Sequence, residues 1–131
     1  CMARKKIILN GIVVRGLGEG AFFMSIPHYK KEIKRKLGFN AYPGTLNLKF
    51  SKKQIGLLKN IESMKIDGFK QKNKTFGGVD CYAAKIRNIN GAVIVPHLTK
   101  HKDVIEIIAP VHLKSELKVR NGDTLKVKLI Q

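Results

Sequence analysis

Three short segments carry groups that could handle a phosphate. The first is RGLGEGAFF, Arg15 to Phe23, with glycines at positions 16, 18 and 20. Adjacent backbone N–H groups with no Cβ in the way can surround an anion. The spacing is not the GxGxxG dinucleotide fingerprint, and no Gly-Lys-Ser/Thr follows it, so taken alone the loop fits a strand-to-strand turn equally well. The second segment is PGTLN, Pro43 to Asn47. On a strand, the Thr45 hydroxyl and the Asn47 amide oxygen fall on one face about 7 Å apart. Two neutral oxygens at that spacing could share one Mg²⁺, with nucleotide phosphates and waters completing its octahedron. Uncharged ligands bind free Mg²⁺ weakly, so the ion is expected to arrive with a nucleotide. The plainer alternative is the polar outer face of a half-buried strand. The third segment is TKHKDVIEIIAP, Thr99 to Pro110, where Glu106 is the one carboxylate among Val104, Ile105, Ile107 and Ile108. It could take a proton as a general base or orient a substrate; it could also face outward and pair with a lysine. His97 and His101 stand four apart, but no third ligand completes a zinc set.

Strand signals dominate the elements that must position these groups. Lys5 to Arg15 is rich in Ile and Val, with Gly11 suggesting a bulge or bend. The glycines of Arg15 to Phe23 are expected to prevent regular structure there. Ser25-Ile26-Pro27 opens a helix with proline near the first turn. It runs from His28 to Leu37, aligns Tyr29, Ile33 and Leu37 on one face, and stops at Gly38. Tyr42-Pro43-Gly44 is a turn, and Thr45 to Phe50 alternates, sending Leu46, Leu48 and Phe50 to one side. Ser51 to Asn60 reads as a short helix, Ile61 to Phe69 as a weak strand, and Lys70 to Thr75 as a polar loop. Val79 to Arg87 and Ala92 to Val95 flank Asn88 to Gly91, whose Asn-Gly pair predicts a hairpin turn. Val104 to Ile108 is strand-like, and Ala109 to Leu117 is short helix or turn. Asn121 to Asp123 turns into a last strand, Thr124 to Ile130. Phe22 and Phe23 read as core anchors, His28 and His112 as surface residues. Short strands, frequent turns and few helices predict a closed or partly closed β-barrel.

The 131 residues, 44% hydrophobic and 27% charged, suit one globular domain over residues 1–131. No apolar run approaches the roughly 20 residues of a membrane span, and no signal-peptide core precedes the first strand. The chain therefore reads as soluble and cytoplasmic, with no membrane partner. Cys1 precedes Met2 and reads as a residue left by cloning, while Cys81 lies in an apolar run and reads as core. Twenty-six Lys and Arg against nine Asp and Glu give a net charge of +17. Such a field attracts polyanions. Because the basic residues are spread along the chain, nucleic acid is expected to bind only non-specifically, through net charge.

RGLGEGAFF, LGFNAYPGTLNL, FGGVDCY and GAVIVPHLTKHKDVIEIIAPVHLK, in this order, resemble the archaeal CTP-dependent riboflavin kinase family, from about Gly11 to Val127. The resemblance implies a mainly β fold, a six-stranded cradle-loop (Greek-key-like) β-barrel with one or two short helices. It implies transfer of the γ-phosphoryl group of CTP to the 5′-hydroxyl of riboflavin, giving FMN and CDP. Carried over by motif, Gly16, Leu17, Gly18, Glu19, Gly20 and Ala21 would hold the nucleotide phosphates, and Thr45 and Asn47 would coordinate one Mg²⁺. Thr99 and Glu106 would contact the flavin, with Glu106 the candidate base. Val111, His112, Leu113 and Lys114 would line the cytosine site, largely through main chain. Some members of that family carry an N-terminal helix-turn-helix domain, for which this chain has no room. The rival is a basic swapped-hairpin barrel that binds DNA as a transcription regulator; it would explain the charge but has no need of PGTLN beside a glycine loop.

Overall fold

The computed structural model describes residues 6–16, 19–98 and 103–130. In chain order the elements are β1 (Ile7–Val14), α1 (Glu19–Met24), α2 (Pro27–Leu37), β2 (Leu46–Lys49), α3 (Lys52–Leu57) running into a 3₁₀ turn (Leu58–Asn60), β3 (Met64–Ile66), β4 (Phe69–Gln71), β5 (Lys74–Phe76), β6 (Val79–Ile86), β7 (Ile89–Pro96), β8 (Val104–Ile108), α4 (Leu113–Glu116) and β9 (Thr124–Leu129). Six strands close an antiparallel barrel in the order β6-β7-β8-β2-β1-β9, with β9 returning to β6 through Ala84 opposite Leu129 and Lys85 opposite Lys128. β3 adds to β6 outside that ring, and β4–β5 form a separate hairpin. Closure leaves the six barrel strands no free edge, which is how a small β fold avoids pairing with other chains. The described residues contain four short helices, more than the one or two expected.

Alternation fills the barrel. Leu9, Val13, Leu46, Leu48, Ile107, Val127 and Leu129 point inward and are almost completely buried. A second core lies outside the barrel, where Tyr29 and Ile33 of α2 cover Ile66, Cys81, Ala92, Ile94 and Ile108. β7 is therefore buried on both faces, and its Ala92 to Val95 run is continuous rather than alternating. Burial pushes the Cys81 thiol up to about 12, so this cysteine stays protonated and inert. α2 begins with Pro27 and ends where the Gly38 N–H reaches the Lys34 carbonyl at φ 83°. Gly38→Ala meets no atom but must adopt that left-handed backbone. It should lower stability by about 1 kcal/mol, read as a drop in the urea midpoint with an unchanged slope.

Several local expectations are corrected. Gly11 makes no bulge, because the β1–β9 register runs unbroken from Ile7–Leu129 to Ile12–Thr124. A Cβ there would lie 2.7 Å from the Phe50 ring, so close packing accounts for the glycine. The β6–β7 turn is Arg87-Asn88, with Ile86 opposite Ile89 and Arg87 at φ 54°. Asn90-Gly91 lies inside β7, where a Cβ on Gly91 would strike the Ile108 carbonyl. The expected strand Ile61 to Phe69 divides into β3 and the start of β4, and the expected polar loop is the β4–β5 hairpin, turned by Lys72 and Asn73 at positive φ.

Candidate active site

The barrel brings its chemistry together at the end of β1. Val14 is the last β1 residue and sits opposite Asn47 of β2, and Asn47 in turn sits opposite Glu106 of β8. Residues directly opposite on antiparallel strands share a face, so the amide and the carboxylate are neighbours. They are the two buried polar side chains among the described residues, 8% and 7% exposed. Burying a carboxylate is costly unless it is hydrogen-bonded. Glu106 Oε1 accepts from the Gly20 N–H at 2.9 Å and from the Thr45 hydroxyl at 3.1 Å. One carboxylate oxygen thus ties together all three segments singled out by composition and spacing.

The glycines make this approach possible. A Cβ on Gly16 would overlap the Asn47 amide, and one on Gly20 would lie 2.5 Å from Thr45 Cγ2 and 2.7 Å from Glu106 Oε1. The expectation of irregular structure through Phe23 is corrected: Glu19 starts α1, and the Gly20 N–H in its first turn points at Glu106. N–H groups in a helix's first turn lack intrahelical acceptors, which leaves this one available. Ala21 is exposed on α1. Phe22 is 56% exposed, so it is no core anchor, whereas Phe23 is half-buried with its ring edge-on to Tyr29 at 5.0 Å.

Residues 111–114 lie beside the PGTLN turn. The Tyr42 N–H donates to the Ala109 carbonyl at 2.7 Å, and the Tyr42 and His112 rings are 5.2 Å apart. Leu113 is buried in the barrel core, while Val111, His112 and Lys114 are half-buried. His112 Nδ1 pairs with the Ser115 hydroxyl at 2.6 Å, and the Lys114 ammonium donates to the Asn121 side chain at 2.9 Å. Neither His112 nor His28 is a plain surface residue: the His28 ring is half-buried against Phe69, with Nε2 2.8 Å from the Asp67 carbonyl. Tyr42 is the neighbour that sequence reasoning missed, having been read only as part of a turn. Leu17, Gly18, Thr99 and His101 lie outside the described residues.

The donor set fits a hard divalent ion. The Thr45 hydroxyl spends its proton on Glu106, which leaves oxygen lone pairs for a cation. Asn47, opposite Glu106 in register, could supply an amide oxygen, and the Glu106 carboxylate would add negative charge. Oxygen-only donors suit Mg²⁺. Among the described residues no group of three or more His, Cys, Asp or Glu could hold a metal ion, and no helix is long and apolar enough to cross a membrane.

The family profile CTP-dep_RFKase, described as "Domain of unknown function DUF120", matches residues 13–129. The protein named riboflavin kinase in Pyrobaculum islandicum is 43% identical over 127 residues, covering 94% of this chain and 60% of its own length. The riboflavin kinase of Methanosarcina acetivorans is 42% identical over 125 residues, covering 92% of this chain and 53% of its own. That of Methanocella arvoryzae is 42% identical over 123 residues, covering 93% and 56%. The chain thus spans just over half the length of these relatives.

Proposed function

The chain belongs to the CTP-dependent riboflavin kinase family, and from that premise we propose that it transfers the γ-phosphoryl group of CTP to the 5′-hydroxyl of riboflavin. The riboflavin oxygen attacks the γ-phosphorus, the bond to the β-phosphate oxygen breaks, and FMN and CDP leave. The observation that carries this reading is the convergence of the Gly20 N–H and the Thr45 hydroxyl on Glu106 Oε1. It joins the glycine segment, the polar strand face and the lone carboxylate into one site. Phosphoryl transfer asks chiefly for positioning and charge neutralisation. The glycine segment packed against Thr45 and Glu106 offers the positioning, and neutralisation falls to the Mg²⁺ that arrives with CTP and to the basic surface of the chain.

In this reading the segment from Gly16 to Ala21 lies along the nucleotide phosphates, and the main chain of Val111 to Lys114 lines the cytosine. Thr45 and Asn47 hold one Mg²⁺ that arrives with CTP and neutralises phosphate charge. Thr99 and Glu106 face the flavin, and Glu106 accepts the hydroxyl proton. The test is turnover with riboflavin, Mg²⁺ and each of CTP, ATP, GTP and UTP, with riboflavin and FMN separated by chromatography. FMN formed chiefly with CTP is expected; no FMN from folded protein with any nucleotide overturns the reading. Asn47→Ala should raise the Mg²⁺ needed for half-maximal rate at least about tenfold, the scale on which loss of a ligating or supporting group acts. An unchanged metal titration would remove Asn47 from the site. The DNA-regulator reading gains nothing here, since a DNA grip needs no glycine cradle around a buried carboxylate.

A further inference from the structure

The outer face of α2 carries charge that the kinase site does not use. By helical period, Pro27, Lys30, Lys31 and Lys34 form a stripe opposite the buried Tyr29 and Ile33. With Ser25 and Asn40 they line an open groove of about 360 Å³. The only acid on α2, Glu32, is paired with Arg35 on the flank at 2.7 Å. Among the described residues no lysine forms an ion pair with a carboxylate. The first turn of α2 holds no acidic residue and its N-cap, Ile26, offers no side-chain cap, so the positive end of the helix dipole adds to the lysines.

We propose that this groove docks the phosphodiester backbone of a nucleic-acid duplex, independently of sequence. All six lining residues are exposed. No buried donor fixes a single small anion, whereas a polymer gathers many weak phosphate contacts and releases counterions at each. No aromatic ring lines the groove, so it lacks the stacking platform on which single strands bind. Lys30 and Lys34 are about 6 Å apart along the helix axis. Their flexible ammonium groups can follow phosphates that repeat every ~3.4 Å of duplex axis on each strand. Contacts of this kind position a duplex and read no bases. The proposal stands apart from the kinase reading, since none of these lysines belongs to the phosphoryl-transfer site.

The test measures fluorescence anisotropy of short labelled duplexes, one DNA and one RNA, across a salt series. Lys30→Glu/Lys31→Glu/Lys34→Glu is compared with Lys52→Glu/Lys53→Glu/Lys126→Glu, which changes net charge equally at exposed sites elsewhere. The groove variant should weaken binding at least about tenfold more than the control, with riboflavin phosphorylation unchanged. A companion variant, Lys→Gln at the three groove positions, covers misfolding of the charge reversal. It should reduce the slope of log affinity against log salt by about two to three, the value for three lost phosphate contacts. Preference for one duplex would identify DNA or RNA as the source of the backbone. Equal losses from groove and control variants would overturn the proposal in favour of net charge alone. One-to-one displacement by micromolar tripolyphosphate would overturn it in favour of a small anion.

Discussion

Gly20→Ala should remove most phosphoryl transfer while the barrel stays folded. The new methyl carbon would lie 2.5 Å from Thr45 Cγ2, 2.6 Å from Thr45 Oγ1 and 2.7 Å from Glu106 Oε1, closer than non-bonded carbons tolerate. Glu106 is held between β2 and β7, and Thr45 immediately precedes β2, whereas α1 is six residues long. Either α1 shifts or the Thr45 and Glu106 side chains turn away, and both outcomes break the convergence of the Gly20 N–H and the Thr45 hydroxyl on Glu106. A displacement of about 1 Å at a reacting site costs roughly 10²-fold. The expected result is a fall in kcat/KM of about 10²-fold or more. The far-ultraviolet spectrum should be intact and the thermal midpoint little changed, because the clash lies at the barrel's end rather than in its core. Gly56→Ala is the control: it lies in α3, where a Cβ meets nothing within 4 Å. It should keep full activity and gain up to about 1 kcal/mol, since alanine is the better helix former. A Gly20→Ala enzyme that is folded and close to normal in rate would remove the glycine cradle from the mechanism.

The contrast between these two glycines marks what sequence can and cannot reveal. Period-two spacing predicts Thr45 and Asn47 on one face of a strand; the strand begins at Leu46, and Thr45 reaches Glu106 from the residue before it. That Glu106 faces Asn47 depends on β2 pairing with β8 across a long separation in the chain, and no local pattern fixes such a register. The same limit applies to Tyr42 beside His112. Turns were legible where glycine marks left-handed backbone, as at Gly38 and Gly122. They were misplaced where an arginine adopts it: Arg87 turns the β6–β7 hairpin, while the stronger Asn-Gly signal lies inside a strand. At Gly11, Gly20 and Gly91 the glycine answers a neighbour's close approach rather than its own conformation, and that reason is visible only in three dimensions. α1 was missed because three closely spaced glycines outweigh the helix tendency of Glu19 to Met24, whose first turn is held by the tertiary bond from Gly20 to Glu106.

Glu106→Gln separates chemistry from architecture. The glutamine amide oxygen can take the place of Oε1 and still accept from the Gly20 N–H and the Thr45 hydroxyl, so α1 and β2 should keep their places. What disappears is the negative charge and the ability to take a proton. If Glu106 is the base, the single-turnover rate of FMN formation should drop by about 10² to 10⁴-fold, the usual worth of a positioned base, with riboflavin affinity changed far less. That loss should not be recovered by raising riboflavin. A rate that holds while riboflavin affinity falls would make Glu106 a flavin-binding and positioning residue only. Pairing this variant with Asn47→Ala adds a further distinction. Residues that act as one unit lose less together than the sum of their separate losses, and Asn47 and Glu106 face each other in register. Their combined effect on the single-turnover rate should therefore fall well short of additive, whereas strict additivity would place the metal side and the proton-accepting side in independent roles.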